Sequence, residues 1–259
     1  MKTLKFSSLL IALASVFTFS SCLDDSEGSS LPHYSSYVTV TGDATFGYTF
    51  FSDFGCTLKP TAASVQNVLP GLSKANVKRA VVAFDLLNEA EQGQSLQAGK
   101  TYEIVLGSSP YANYAIPTYT TIDIADNTAA ADTLIANNKR INSTESSSIW
   151  GINGYINTEL TINYDPNKPF YLNTYYNRET DIDPVSKTLY LNLYYNNNSN
   201  NPTSQGKSVF SFKLPDDAAF EFDTDSVNVV LKAITQDDGQ MTEIGKCRIA
   251  VNDFSIPLY

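Results

Sequence analysis

Beyond residue 36 the chain alternates apolar and polar residues in short runs: Tyr37 to Thr41, Thr45 to Ser52, Arg79 to Leu87, Thr101 to Gly107 and Thr118 to Ile124. A period of two held over a handful of residues marks a half-buried strand. The runs are punctuated by turn-forming residues. Ser52-Asp53-Phe54-Gly55 predicts a hairpin, since Gly55 can take the positive φ that closes it. Leu69-Pro70-Gly71 and Gln97-Ala98-Gly99-Lys100 separate the next elements in the same way. Residues 125–148, rich in Ala, Asn, Thr and Ser, hold neither strand nor helix period. They read as a linker, with a short helix over Ala129 to Asn137 that Asn137-Asn138 would end.

The second half repeats itself. Tyr171-Leu172-Asn173-Thr174-Tyr175-Tyr176-Asn177 is echoed by Tyr190-Leu191-Asn192-Leu193-Tyr194-Tyr195-Asn196, with Thr180-Asp181-Ile182-Asp183-Pro184 as the turn between them. The pair predicts an antiparallel hairpin. Alternation puts Leu172, Thr174, Tyr176, Leu191, Leu193 and Tyr195 on a core face. The opposite face then carries Tyr171, Asn173 and Tyr175 beside Tyr190, Asn192 and Tyr194. Further strands follow at Ser208 to Leu214, Ser226 to Ile234 and Lys246 to Val251, set apart by Pro215-Asp216-Asp217 and Gln236-Asp237-Asp238-Gly239. Short strands at this spacing predict an all-β chain whose second half is a β-sandwich. The domains are a first strand set over 37–124, a linker over 125–148 and the sandwich over 149–259.

The one long apolar run, Phe6 to Phe19, stands at the start of the chain behind Lys2 and Lys5 and ahead of Ser20-Ser21-Cys22-Leu23-Asp24-Asp25. Its fourteen residues are too few for a membrane span, which needs about 20. A charged start, a short apolar stretch and small residues before the cut form a secretory signal. The cysteine after the small pair makes residues 1–21 a lipoprotein signal peptide and Cys22 the lipidation site. More than one acyl chain on Cys22 would anchor the protein stably, since each buried methylene contributes about 0.8 kcal/mol. Residues 22–36, mostly Ser, Asp and Gly, read as a flexible tether between lipid and fold.

Cleavage removes two lysines and no acid, which moves the formal charge from −10 to −12. An acidic chain of this kind is a poor partner for nucleic acid, whose phosphates call for clustered Lys and Arg. Once Cys22 carries lipid, Cys56 and Cys247 remain. Their even count in an oxidising compartment makes them a candidate disulfide, with two buried free thiols as the alternative. The single histidine, His33, lies in the tether, so Ser-His-Asp and Cys-His catalysis have no base and zinc has no ligand set. The paired acids Asp181 and Asp183, Asp216 and Asp217, and Asp237 and Asp238 all fall in turns, where Asp bonds to its own backbone. No catalytic residue, metal site or cofactor is expected.

The motifs Ser21-Cys22-Leu23-Asp24-Asp25, Phe50-Phe51-Ser52-Asp53-Phe54-Gly55-Cys56-Thr57-Leu58, Val77-Lys78-Arg79-Ala80-Val81-Val82, Ile149-Trp150-Gly151-Ile152-Asn153-Gly154-Tyr155-Ile156-Asn157 and Lys207-Ser208-Val209-Phe210-Ser211-Phe212 together resemble the NigD-like lipoproteins of Bacteroidetes. The resemblance runs from Cys22 to the C-terminus. It implies an N-terminal OB-like barrel followed by a C-terminal immunoglobulin-like β-sandwich, and no activity. The family tends to have a second acid or polar residue beside Asp53, where this chain has Phe54. The acids after Cys22 resemble the family's cell-surface export signal, so the expected location is the outer membrane, with the cell surface favoured over the periplasmic face. Asp132-Thr133-Leu134 and Asp225-Ser226-Val227 are similar to the O-glycosylation site of the same phylum and make Thr133 and Ser226 candidates.

The functional reading is a non-catalytic, membrane-anchored envelope module that binds or assembles, with the outward Tyr and Asn rows as its candidate ligand face and an envelope protein or glycan as partner. Tyrosine offers a flat ring with a polar tip, and Asn both donates and accepts. Packing against a neighbouring strand or domain is the plainer use of those rows. A glycan-binding accessory lipoprotein and a lipoprotein-derived fimbrial subunit are the alternatives, and an enzyme is a third class. Trp150, where the second domain begins, reads as a core or interdomain plug.

Overall fold

A computed structural model describes residues 32–43, 47–68, 77–88, 95–108, 113–125, 128–142, 148–236 and 238–256. The signal segment, Cys22, most of the tether, Leu69-Pro70-Gly71 and Asp237 lie outside the described residues. The fold is all-β, with five strands closing the first barrel: β1 (Tyr34–Asp43), β2 (Gly47–Ser52), β3 (Thr57–Pro60), β4 (Arg79–Leu86) and β5 (Thr101–Leu106). They follow the order β1-β2-β3-β5-β4, and β4 returns to β1. Only β3 and β5 run parallel among these pairs, and α1 (Ala62–Val68) leads from β3 towards β4. The barrel is OB-like. Alternation fills it, as in β5, where Tyr102, Ile104 and Leu106 point in and Thr101, Glu103 and Val105 point out.

The chain is held to this barrel three residues earlier than expected. His33 donates its backbone N–H to the Asp85 carboxylate at 2.9 Å, and its Nδ1 lies 2.7 Å from the same oxygen. Tyr34 then opens β1 and stacks on Phe84, with ring centroids 5.7 Å apart. The barrel ends sooner than expected too. A two-residue strand β6 (Tyr114–Ala115) pairs with β4, and Ile116 donates to the Arg79 carbonyl at 2.9 Å.

From residue 117 the chain belongs to the second domain. The strand expected over Thr118 to Ile124 is split: β7 (Thr118–Tyr119) joins one sheet and β8 (Thr121–Asp123) the other, so the chain switches sheets at Thr120. The first sheet has the order β7-β14-β10-β9, formed by β9 (Ile149–Ile152), β10 (Tyr155–Tyr164) and β14 (Ser204–Lys213) with β7. The second has the order β16-β15-β13-β11-β8, from β11 (Tyr171–Tyr176), β13 (Thr188–Asn196), β15 (Ser226–Ile234) and β16 (Met241–Ala250), with β12 (Ile182–Asp183) beside β13. Ile156, Leu160 and Phe212 of one sheet meet Leu172, Leu191 and Val229 of the other in a shared core. Full burial contributes roughly 1.5–3 kcal/mol for each such side chain.

The expected linker over 125–148 is instead part of this domain. After the helix α2 (Thr128–Asn137), Asn138 donates its side-chain amide to the Leu193 carbonyl and accepts from the Tyr195 N–H, both at 2.9 Å. Lys139 donates to the Tyr195 carbonyl at 2.7 Å, Ile141 donates to that of Ile234 at 2.9 Å, and the Ile141 side chain is buried in the core. The segment behaves as a strand supplement, which its polar composition concealed because the bonds are made by backbone and Asn amide.

The two domains meet around one buried cation. Arg79, at the start of β4, is wholly buried and grips Asp53 with two bonds, Nη1 to Oδ1 at 2.7 Å and Nη2 to Oδ2 at 2.6 Å. Nη1 also reaches the Thr39 hydroxyl at 3.0 Å. Asp53 sits in the hairpin turn predicted from sequence, where Gly55 has φ +81° and donates to the Ser52 carbonyl at 2.9 Å. From the sandwich, the Trp150 indole N–H donates to Asp53 Oδ2 at 2.6 Å, and its ring lies against Tyr37 at 5.2 Å. The Arg79 guanidinium lies 5.9 Å from the centre of the Tyr155 ring. Trp150 is an interdomain plug.

Removing one member of a buried ion pair leaves the other charged and unsolvated, at a cost of about 3–5 kcal/mol. Asp53→Ala should therefore lower stability by about that much in urea unfolding. Trp150→Phe, which deletes one hydrogen bond to a charged group, should cost about 1.5–3 kcal/mol. Lys207→Ala, at an exposed pair with Glu159, should cost at most about 1 kcal/mol. A wild-type urea midpoint for Asp53→Ala would refute this account of the joint. The sandwich core makes a second expectation. Burial pushes the Tyr195 hydroxyl up to about 12 and raises Tyr176 well above its usual value, in the latter case with help from Asp217 and Asp123. Unfolded tyrosine titrates near 10, so the stability these groups contribute is complete below about pH 10 and is lost as pH rises through that value towards 12. Ultraviolet titration should show a fraction of the 16 tyrosines ionising only as the fold is lost. A single transition near pH 10 with the fold intact would contradict this.

Candidate functional site

The tyrosine hairpin forms in the predicted register, with Tyr171 opposite Asn196, Asn173 opposite Tyr194 and Tyr175 opposite Asn192. Leu172, Thr174, Tyr176, Leu191, Leu193 and Tyr195 are buried on the inner face as expected. The outer rows are not uniformly open. Tyr171 is 52% exposed, and Asn173, Tyr190 and Asn192 are half-buried, whereas Tyr175 and Tyr194 fall to 6% and 9%. Topology gives the reason. β8 lies beyond β11 on one side, Asn138 to Ile141 bond along the far side of β13, and the inner face is filled by core. The chain between them must cross the outer face, and α2 packs on β13 as it does so. Tyr175 and Tyr194 therefore leave the candidate ligand face.

The side groups that remain are held in place. Thr120 donates to Asn173 Oδ1 at 3.3 Å, and Asn192 donates its amide to Asp181 Oδ2 at 3.2 Å. The Lys232 ammonium sits 4.2 Å from the centre of the Tyr190 ring. Beyond β13 the same outer face continues with residues that the tyrosine echo did not point to. Val227, Val229 and Leu231 face the core, so Ser226, Asn228, Val230 and Lys232 face out. Across β16, Lys246 lies opposite Val230 and Arg248 opposite Asn228, and both are exposed. Arg248 Nε donates to the Ser226 hydroxyl at 2.7 Å, which confirms the shared face. The signal for these residues was present, because period two applied to Ser226 to Ile234 and Lys246 to Val251 puts the polar set opposite the core.

The other expected site residues are placed apart. Cys56 belongs to the barrel core and Cys247 packs against the sandwich core, and both are free. The expected bridge is not formed, because each thiol lies with a different core. Thr133 is exposed on α2, its hydroxyl bonded back to the Ala129 carbonyl at 2.8 Å, while Ser226 is held by Arg248 at the start of β15. The turn acids close turns: Asp183 Oδ1 accepts from the backbone of Val185 and Ser186 at 2.9 and 3.1 Å, and Asp238 from that of Gln240 at 3.0 Å. The Ser186 hydroxyl first, and its backbone N–H next, hold the Asp183 carboxyl below the usual carboxylate range. A shallow cleft of about 430 Å3 between Thr121, Asp123, Tyr176, Lys213, Asp216 and Asp217 is acidic, but its carboxylates are engaged, Asp123 by Arg178 at 2.6 Å, Asp216 by Lys213 at 2.8 Å and Asp217 by the Tyr176 hydroxyl at 3.5 Å. Among the described residues no three His, Cys, Asp or Glu are grouped to hold a metal ion, and no described helix is long and apolar enough to cross a membrane.

A closed OB-like barrel joined to a two-sheet sandwich through a buried polar contact defines a two-domain all-β protein with an outward polar sheet face. Residues 123–244 match the NigD-like C-terminal beta sandwich domain. Three solved structures share the whole arrangement. A putative toxin-related protein from Parabacteroides distasonis superposes with a TM-score of 0.56 at 18% identity, covering 85% of this chain and 94% of its own. A protein of unknown function from Bacteroides vulgatus gives 0.52 at 20% identity over 88% and 92%. A NigD-like immunity protein from Bacteroides caccae gives 0.51 at 17% identity over 84% and 96%. No curated protein matches the chain. The sandwich is NigD-like, as its short motifs implied.

Burial pushes the Cys247 thiol up to about 12 and raises that of Cys56. Thiolate is the reactive form, so at pH 8 both should react slowly with iodoacetamide in the folded protein. After denaturation without reductant, a chain lacking Cys22 should gain two labels by mass. A mass with no label added would restore the disulfide.

Proposed function

We propose that this protein is a non-catalytic binding module of the bacterial envelope, anchored in the outer membrane through lipid on Cys22 and displayed at the cell surface. The observation that carries the reading is the outward face of the second sheet. Tyr171, Asn173, Tyr190 and Asn192 stay accessible there while α2 covers their neighbours. A ring fixed by a strand and an amide fixed by a carboxylate offer contacts that need little further ordering, which limits the entropy lost when a ligand is bound. The lipid address of residues 1–22 supports the location, and the NigD-like sandwich is compatible with a module that binds without chemistry. A fibre built by strand exchange has less support, since it needs an open apolar groove, and Phe210 and Phe212 of β14 are already covered and in tilted ring contact with Tyr119.

Photo-crosslinking in the native host tests this, with the probe at Tyr171 and a control probe at Val105, which is exposed on the barrel. The reading expects a distinct envelope protein or glycan captured from Tyr171 and not from Val105, in cells where the wild-type chain takes up acyl label and Cys22→Ala does not. A ladder of the chain with itself would favour the fimbrial alternative. Equal capture at both positions, or labelling of Cys22→Ala, would overturn the face or the anchor respectively.

A further inference from the structure

The outer face of β13, β15 and β16 differs in charge from the rest of the chain. The protein has 27 acids against 17 Lys and Arg, yet this face gathers Lys232, Lys246 and Arg248. Two acids stand beside these cations. Glu243 lies opposite Lys232 beyond a β-bulge, and Asp181 is occupied by the Asn177 N–H at 2.9 Å and by Asn192. Between the cations lie Asn192, Asn228 and the Tyr190 ring, and the apolar member, Val230, is buried beneath them.

We infer that this face binds an acidic glycan, a polysaccharide bearing carboxylate or sulfate groups. The chemistry matches on three counts. Lys and Arg heads on neighbouring strands meet spaced anionic groups, Arg with a planar fork suited to carboxylates and sulfates. Asn amides both donate to and accept from sugar hydroxyls. The half-exposed Tyr190 ring, which carries the Lys232 ammonium over it, sets an aromatic surface beside a cation for a sugar. An acidic protein partner fits less well, because the core of a protein interface is apolar and depleted in charge, and this face exposes no large aliphatic side chain. The inference rests on the binding-module reading and names its ligand class.

The test is binding of the full mature chain, held in non-ionic detergent, to immobilised polygalacturonate and dextran sulfate, with neutral dextran and polyglutamate as controls. Binding to at least one acidic polysaccharide is expected, with none to dextran and at least about tenfold weaker binding to polyglutamate. Which of the two binds distinguishes carboxylate from sulfate sugars. Replacing Lys232, Lys246 and Arg248 together by Gln should weaken binding about tenfold or more, the equivalent of about 1.4 kcal/mol, at an unchanged urea midpoint. Raising salt should weaken the wild type, since exposed charges are screened over about 8 Å at physiological ionic strength. Lys246→Arg should retain binding. Equal binding to polyglutamate would reduce the face to a general anion surface and overturn the inference, as would full binding by the triple Gln variant. If neither polysaccharide binds while the Tyr171 probe still captures a distinct partner, the glycan inference fails and the binding-module reading stands. If capture at Tyr171 fails as well, both fail.

Discussion

The contact between Arg79 and Asp53 constrains most of what surrounds it. A guanidinium with no exposed surface needs its charge met, because the desolvation penalty of an ion amounts to several kcal/mol, and here both Nη groups are bonded while Nε is left without a partner among the described residues. Asp53 meets two of the donors, and it can do so only from the Ser52 to Gly55 turn, whose backbone directs the carboxylate back over the barrel. The acid keeps one oxygen for the Trp150 indole, so the pair is completed by the other domain. Neither domain alone supplies the whole set. The carboxylate therefore links the two folds, beside the Trp150–Tyr37 and Arg79–Tyr155 contacts. Phe54 is 42% exposed and takes no part in these bonds.

The joint also decides which part of a sheet face is covered. Trp150, Tyr155 and Asn157 share the outer face of the first sheet, where the Ser211 hydroxyl donates to Asn157 at 2.6 Å and Asn157 in turn donates to the Trp150 carbonyl at 3.3 Å. The end of that face at Trp150 is turned to the barrel, while further along it Lys207 is exposed and Glu159 half-exposed. Both inner faces are closed by the shared core. The outer face of the second sheet is also open, and α2 packs on β13 across part of it. The part that stays open is thus what these packing decisions leave.

The sequence was most legible where period two held for a full strand. β15 is found at its predicted bounds, and the tyrosine hairpin has its predicted inner face. It was least legible where the structure depends on few residues or on backbone bonds. β3 has one fully buried side chain, Leu58, and ends in Pro60, so no period could show. Asn138 to Ile141 complete a sheet with amides that composition does not reveal. Asn153-Gly154, both at positive φ between β9 and β10, was a readable hairpin signal, one of the strongest that short sequences give. The joint itself was half visible: the Asp53 turn and the Trp150 plug could be read, but their meeting at Arg79 is set by a separation of 97 positions that no local pattern encodes. The basic half of the outer face carries no repeated motif to mark it, although the same alternation places Lys232, Lys246 and Arg248.

The order of parts along the chain gives the free face a direction. The described chain enters at Pro32, on the barrel, and the barrel grips the outer face of the first sheet. The open face of the second sheet is on the opposite side of the sandwich, two sheets away from the barrel. In a chain anchored at Cys22 as proposed, lipid, tether, barrel and sandwich follow one another, and the barrel acts as a spacer. Its rigid hold on the sandwich then matters for binding as well as for stability. A flexible hinge would let the open face turn back towards the membrane, whereas the joint at Arg79 keeps it on the far side of the sandwich from the tether. A surface that presents fixed rings and cations outward needs such a joint more than it needs a deep pocket, and a barrel ion pair whose carboxylate also accepts the Trp150 indole of the sandwich provides one.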